Sequence, residues 1–501
     1  MNKRILFFTD GWFLNFGIAK FFQDNQNYEL FAIIDVEEKA KKFFQEQNIV
    51  KYKKIWFFID NIHKINSKPD YDYLVSFEEK YKINLWSIAF SEREFYHYNT
   101  IHKFTIDEIL NLIEQECKFF EEVLDFVKPD FLSIMLTTSH HQELLRVICK
   151  SRGIKILMLG TTRFRHGMMI SEEGGILDSF SRLPEKSNMN LEDHSKYFEK
   201  YHATKEMNEY RISNFENNAV ARYASLLKFF ILPQSISFKK RYWNYGKTKR
   251  KVLKEKFLHF IRKKYRAYFI QKNFIKNIDN EIPFIYFPLQ MEPERVLLIG
   301  AKYYTNQISV ITNIAKSIPI NYKLLVKEHP IMSIWGWRNT NFYKQIMELP
   351  NVRLIHPSLS SDEIIKNSSL VITIAGTAAQ EAAFHGKPAI SFTEQLYCLF
   401  PSVHRVKTFE ELPSAIEKSL KITVDKNSIG KFIDLMNKET FDFPLVKITS
   451  NFSYRFGFKG MVMDAELPII EIEKFLNDYK KEFEILGLEH IKKINSFSKK
   501  N

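Results

Sequence analysis

Short apolar runs, each closed by a turn and followed by a helical pattern, recur in two long stretches of the chain. This alternation limits the fold more than any other feature. It is the mark of α/β architecture built on a parallel sheet. In the first stretch Ile5–Thr9 reads as a buried strand closed by Asp10-Gly11, and Leu30–Ile34 as a second. Thr105–Val127 reads as a helix opened by a Thr105/Glu108 capping box and broken at Lys128-Pro129-Asp130. A strand (Phe131–Leu136), a helix (His141–Lys150) and a strand (Ile154–Leu159) follow. Residues 50–100 are aromatic and show no clear period. In the second stretch Phe284–Phe287, Tyr322–Val326, Val352–Ile355, Leu370–Ile374 and Ala389–Phe392 read as strands. Helical patterns at Ile308–Lys316, Phe342–Leu349, Asp362–Lys366 and Ala378–Phe384 separate them. The expected fold class is therefore α/β, with two Rossmann-like doubly wound domains at residues 1–190 and 281–425. A basic helical insertion (191–280) lies between them, and a C-terminal helical tail (426–501) follows.

The insertion holds the charge. The chain of 501 residues carries a formal net charge of +14. Between Lys239 and Lys276 there are fifteen basic residues and a single acid, Glu255, so an equal excess sits in that one segment. Leu253, Phe257, Phe260, Ile261 and Tyr268 fall near helical spacing within it, the pattern of an amphipathic basic helix. Three readings stay open: docking on anionic lipid, holding an acidic acceptor, or a solvated helical linker. Interleaved Tyr and Phe also suit nucleic acid, which is the least favoured partner. Three cysteines, Cys117, Cys149 and Cys398, form no disulfide framework and point to a reducing compartment. The apolar run after Lys3-Arg4 is too short for a signal peptide, and no stretch is long enough to span a bilayer. The expected location is cytoplasmic, with a peripheral position on the inner membrane face if the basic segment meets lipid.

Two α/β domains place a cleft between the carboxyl ends of their sheets, where open α/β folds bind ligands. Candidate residues are read from the strand exits. Lys327-Glu328-His329-Pro330 offers two cationic groups for phosphate and a proline-held turn, or else is a proline-stopped strand with surface charges. Gly376-Thr377-Ala378 follows a strand and opens a helix. Gly376 allows close backbone approach, Thr377 is expected to cap the helix, and Glu381 lies one turn in. The loop Tyr286–Arg295 can point Gln290, Glu294 and Arg295 into the cleft. In the first half Arg163, Arg165 and His166 are candidate anion or acceptor ligands. Glu172 and Glu173 are candidate general bases, with Asp10 as a rival. The adjacent His140 and His141 are not expected to hold metal, because neighbouring side chains diverge and no third ligand is evident. Asp70-Tyr71-Asp72 reads as a surface turn. No Walker-type loop, no GxGxxG after Thr9 and no GxSxG elbow occurs.

In their order and spacing four segments resemble the capsule polysaccharide biosynthesis family. They are Tyr286–Arg295, Lys327–Pro330, Leu349-Pro350-Asn351-Val352 and Ser368–Phe392. The likeness covers about residues 283–395, with a weaker match at Gly160–Glu173. It implies a GT-B-like glycosyltransferase using a nucleotide-sugar donor, with CMP-activated acidic sugars favoured and UDP-linked sugars open. It implies a glycan or glycolipid acceptor, and neither a bound metal nor a further cofactor. Through the same resemblance His329, Pro330, Gly376, Thr377 and Glu381 would bind the donor, and Lys327, Ala378 and Arg295 are added to them from the strand exits. Glu172-Glu173-Gly174 looks like the acidic-acidic-Gly motif from which some sialyl-type transferases supply their base. Two alternatives are a nucleotide-sugar 2-epimerase of the same fold and a non-catalytic envelope glycan-binding protein.

Overall fold

The computed structural model describes residues 2–64, 67–95, 98–178, 182–187, 224, 227, 231, 241–279, 281–457 and 465–498. Most of the insertion expected at 191–280, including Lys239 and Lys240, and the terminal Lys499-Lys500-Asn501 lie outside the described residues.

The first domain is built on strands β1 (Arg4–Thr9), β2 (Glu29–Ile34), β3 (Lys54–Phe57), β4 (Phe131–Met135), β5 (Lys155–Thr161) and β6 (Gly167–Ser171). The central strand shows why the apolar run forms it. Ile5 and Phe7 face one core, Leu6 and Phe8 the other, and all four are buried. A strand covered on both faces needs a continuous apolar run rather than alternation. β1 pairs in parallel with both β2 and β4, which places the topological switch between β1 and β4. Helix α1 (Leu14–Asn25) covers one face. Helices α2 (Ile106–Val127) and α3 (His140–Ser151) contribute to the core on the other. The expected capping box opens α2: Glu108 N donates to Thr105 Oγ1 at 3.2 Å, and Thr105 N to Glu108 Oε2 at 3.0 Å.

Helix α4 (Lys249–Asn273) links the domains. The second sheet is wholly parallel and contains β7 (Phe284–Pro288), β8 (Lys323–Lys327), β9 (Val352–Ile355), β10 (Leu370–Thr373), β11 (Ala389–Ser391) and β12 (Val403–Arg405). Its order β12-β11-β10-β7-β8-β9 puts its switch between β7 and β10. Helix α5 (Ala378–Phe384) follows β10, and α6 (Asn427–Glu439) packs Phe432 and Ile433 into the same domain's core.

Several local readings change. The aromatic stretch at 50–100 holds β3 and a helix, Tyr71–Tyr81. Asp70 is not part of a free turn; its carboxylate caps that helix by accepting from Tyr73 N at 3.0 Å. Gly160–Glu173 is largely a hairpin, with β6 antiparallel to β5. The tail expected to stand as a helical segment of its own returns to the first domain. Strand β13 (Phe441–Asp442) pairs antiparallel with β6. Phe452, Phe475 and Phe483 join the core that contains Phe7, Phe13 and Phe22. The last helix, α7 (Lys480–Ser498), lies so close to α1 that a β-carbon on Gly17 would enter the Phe483 ring, and one on Gly487 the Phe21 ring. Two reciprocal glycine–phenylalanine contacts thus set the spacing of these helices. Among the described residues no helix is long and apolar enough to cross a membrane.

Candidate active site

The second domain's switch point is held by a buried polar network. Gln290, just past β7, donates from Nε2 to Thr373 Oγ1 on β10 at 3.1 Å, and Gly376 N donates to the same oxygen at 3.0 Å. Gly376 is required by close approach, since a β-carbon there would come within 2.9 Å of both Thr373 Oγ1 and Gln290 Nε2. Glu328 is fully buried and accepts from Arg338 Nε at 2.8 Å and Tyr343 OH at 2.7 Å. Arg338 also pairs with Glu292 at 2.7 Å and donates to the Gln290 carbonyl. This network fixes the Gln290–Arg295 loop. Arg338 carried no sequence signal, because it lies outside every strand exit that was read.

Within that frame Lys327 is buried at the end of β8. Its ammonium donates to Leu359 O at 2.5 Å and Ser361 Oγ at 2.7 Å. Burial pushes its pKa down to about 8, with Glu381 opposing the shift. Thr377 does not cap α5. Its hydroxyl donates to Glu381 Oε1 at 3.0 Å instead. Ala378 is buried in the core behind that turn. His329 is half-buried, its Nδ1 accepting from Ile331 N at 3.3 Å, and Pro330 is exposed. Neither lines the cavity between the domains.

That cavity is the seam of the molecule. The first domain supplies Leu136, Arg163 and Gly175; the second supplies Arg295, Thr377 and Gln395. Arg295 crosses the seam, its Nε donating to the carbonyl of Thr137 past the end of β4 at 2.5 Å. Its guanidinium is pushed down to about 10 by burial, while Arg163 and Arg146 add like-charge repulsion. Arg163 stands at positive φ (57°) in the hairpin turn and forms neither a hydrogen bond nor an ion pair among the described residues. Among the described residues Arg295 has no carboxylate in ion-pair range. Gly174 and Gly175 allow the domains to meet: a β-carbon on the first would lie 2.6 Å from Arg295 Nη2, and one on the second 2.9 Å from Gln395 Oε1. Arg165 turns elsewhere, to Asp442 Oδ2 and Asn437 Oδ1, both at 2.5 Å. His166 is exposed, and its carbonyl accepts from Phe443 N at 3.1 Å.

The three candidate bases differ in surroundings. Glu173 is ion-paired with Lys150 and lies 3.5 Å from Arg146. Glu172 lies 4.0 Å from Lys155, and its amide donates to Asp178 Oδ2 at 2.9 Å. Asp10 stands at the exit of β1, its carboxylate accepting from Trp12 N at 3.0 Å. Burial, with a smaller contribution from the nearby Asp35 charge, raises its carboxyl to about 6. Trp12 beside it is about half exposed, a flat apolar face at the rim. Asp10 lies two strand positions from β5, about 10 Å at the usual spacing. Trp12 and Asp35 were not read from the sequence.

Residues 137–400 match the model of the capsule polysaccharide biosynthesis protein family. The chain belongs to this family. The matched span begins at Thr137, which receives the Arg295 bond, and contains both arginines of the seam and Glu172–Gly175. It leaves out Asp10 and the returning tail. No curated protein matches the chain. Among solved structures the capsule-family chain is similar to UDP-GlcNAc 2-epimerase from Methanocaldococcus jannaschii. The two share 14% identity over 87% of this chain and 100% of that one, with a TM-score of 0.24. UDP-GlcNAc 2-epimerase from Neisseria meningitidis bound to UDP-GlcNAc gives 13% identity over 87% and 99%, with a TM-score of 0.26. KpsC from Thermosulfurimonas dismutans, a β Kdo 2,7 transferase, gives 12% over 70% and 87%, with a TM-score of 0.28. At such scores these likenesses carry no inference about chemistry.

Proposed function

We propose that this capsule-family protein is a glycosyltransferase that moves a sugar from a nucleotide donor to a glycan or glycolipid acceptor. The observation that carries the reading is the pair Arg163 and Arg295. One comes from each domain, they line one cavity, and neither is ion-paired among the described residues. Two guanidinium forks suit two anionic groups of a donor. A CMP-linked acidic sugar offers a phosphate and a carboxylate; a UDP-linked sugar offers two phosphates. The first is the favoured donor, by the family resemblance. Of the other second-domain candidates Thr377 lines the cavity; Lys327, buried near Glu381, with Gly376 and Ala378, supports the turn behind it, and His329 and Pro330 lie outside it.

In this mechanism Asp10 is the base. An ionised Asp10 takes the proton of an acceptor hydroxyl, whose oxygen attacks the anomeric carbon. The bond from that carbon to the phosphate oxygen breaks, and the charge gathering on the departing phosphate is stabilised by Arg163 and Arg295. Asp10 is preferred to Glu173 because the latter is engaged by two cations. Trp12 offers a face for the acceptor ring. No residue of the mechanism calls for a metal or cofactor in the transfer step.

The acceptor side brings in a membrane surface. On α4 the exposed Leu253, Phe257, Phe260, Ile261 and Tyr268 share one face. Ten basic residues and one acid surround them within Lys249–Asn273. Arg266, bonded to the carbonyls of Gly336 (3.2 Å) and Trp337 (2.8 Å), ties the helix to the second domain near the exposed Trp335. An apolar stripe flanked by Lys and Arg suits the headgroup region of an anionic leaflet, which supports a peripheral position on the cytoplasmic face.

The test is calorimetric titration with CMP-, UDP-, GDP- and CDP-sugars, followed by product analysis with and without glycan acceptors. Saturable binding of one class that is weakened in R163A and R295A, with transfer to acceptor, is expected. Epimerised donor formed without acceptor overturns the reading in favour of an epimerase, and no nucleotide binding overturns it in favour of a non-catalytic protein. For the membrane, co-sedimentation with phosphatidylglycerol vesicles is expected, and is lost with K249E/R250E/K251E. Equal binding by that variant retires the lipid contact.

A further inference from the structure

Beneath Asp10 the first domain buries a set of charged side chains that the proposed transfer chemistry does not use. His140 and His141 open α3, and Glu116 projects from the middle of α2. All three are at most 3% exposed. One ligand atom from each lies within 4.8 Å of the other two. The expectation that adjacent histidines lack a third ligand is corrected here, because tertiary packing of α2 against α3 supplies one.

The far ring nitrogens are both held by carboxylates. His140 Nδ1 meets Glu92 Oε2 at 2.7 Å, and His141 Nε2 meets Asp35 Oδ2 at 3.1 Å. Ring nitrogens held this way are oriented and made more basic on the opposite side, as in carboxylate–histidine–metal arrangements. The opposite side is where the bonding is incomplete. His141 Nδ1 and Glu116 Oε2 are buried with no hydrogen-bond partner among the described residues. Two orphaned buried polar atoms are costly unless something satisfies them. His140 Nε2 lies 2.9 Å from Glu116 Oε1, not far from the roughly 3.4 Å ligand–ligand edge of a tetrahedral site with about 2.1 Å bonds. A closing on the order of 1 Å brings all three residues onto one ion.

We propose that Glu116, His140 and His141 bind one divalent transition-metal ion, through a Glu116 carboxylate oxygen, His140 Nε2 and His141 Nδ1. Two imidazoles and one carboxylate suit a borderline ion of the zinc type rather than magnesium or calcium, which prefer all-oxygen shells. The ion is structural. It joins α2 to α3 and, through His141, steadies Asp35, which also receives Arg241 Nη1 at 2.5 Å. Arg241 and Tyr242, whose hydroxyl donates to Glu92 at 3.0 Å, dock the chain entering α4 onto the first domain. The ion therefore sits at the junction that anchors the linker.

The experiment uses the full chain with any histidine tag removed. After chelator treatment and dialysis the protein is loaded with Zn²⁺, and metal content is measured by atomic emission. A parallel sample is loaded with Co²⁺ and its visible spectrum recorded. One ion per chain, a cobalt spectrum of tetrahedral or five-coordinate type, and a melting temperature raised by Zn²⁺ are expected. H140Q/H141Q is expected to retain its circular dichroism and to lose the ion. A folded wild-type chain that takes up no stoichiometric Zn²⁺ or Co²⁺ overturns the proposal, leaving His140 as a charged ring between two glutamates. An ion that persists in folded H140Q/H141Q overturns it equally. If that variant does not fold, zinc-edge X-ray absorption of the wild type decides: a shell with imidazole scattering from two histidines is expected, and a shell without it overturns the proposal. Neither result depends on transferase activity.

Discussion

Arg295 Nε of the second domain donates a 2.5 Å hydrogen bond to the Thr137 carbonyl of the first, and Gly174 leaves the room for its guanidinium. The bond uses one donor and leaves the planar fork facing the cavity that Arg163 also lines. The residue that closes the seam is thus also the residue best placed to hold an anion there.

Removing either arginine weakens donor binding. A charge-assisted hydrogen bond is worth about 1.5–3 kcal/mol, so R163A and R295A are each expected to raise the Kd of the nucleotide sugar roughly 10–100-fold. R295K is expected to recover only part of the loss, because a point charge cannot replace the fork. Isothermal titration checks all three.

The rate of transfer follows Asp10. Its carboxyl is raised from 3.8 to about 6, chiefly by burial, so kcat/KM is expected to rise with pH through about 6 and level off above it. D10N removes that limb. Stability runs the other way. The fold favours the protonated acid, so its contribution is complete below pH 3.8 and is lost as pH rises through about 6. D10N is therefore expected to raise Tm relative to wild type at pH 8 and to leave it unchanged near pH 3.5. Parallel melts and pH–rate profiles separate the two effects.

The tail docks through glycine. G487V drives a branched side chain into the Phe21 ring. Overpacking of this kind costs about 1–3 kcal/mol, read as a lowered midpoint in urea. G153V provides the contrast in space, since nothing lies within 4 Å of a β-carbon there, although its φ of 73° adds backbone strain.

Arg338 is the sharpest stability probe of the second domain. R338M leaves Glu328 and Glu292 without their buried cation, and a loss of about 3–5 kcal/mol is expected. Urea titration of both proteins checks it.

Most of the architecture was legible because a parallel strand covered on both faces writes itself as an apolar run. Ile5–Phe8, Leu324–Val326 and Leu370–Ile372 are such runs. The misses have other causes. β3 begins at an exposed lysine and reads aromatic rather than branched, and β13 has only two residues. The turn at Gly376 was legible as a glycine at a strand exit, but the preference for Arg163 over Arg165 was not. Both sit at φ 57° in one hairpin turn, and the Arg165 partners Asn437 and Asp442, far along the chain, separate them. The same holds for Glu116 and His140, whose meeting depends on two helices packing.

The return of residues 441–498 to the first sheet has a consequence for how the molecule is made. During synthesis the nascent first half emerges with one side of its core uncovered, because Phe452, Phe475 and Phe483 are still to be translated. The second domain's core draws on 284–439, on the linker and on Phe164 and Met169 of the first domain's hairpin, all translated before residue 440, so it can consolidate before its predecessor does. Ribosome-stalled chains truncated at about residue 440 are therefore expected to present a protease-resistant second domain and a protease-sensitive first one. The order of folding would run against the order of translation.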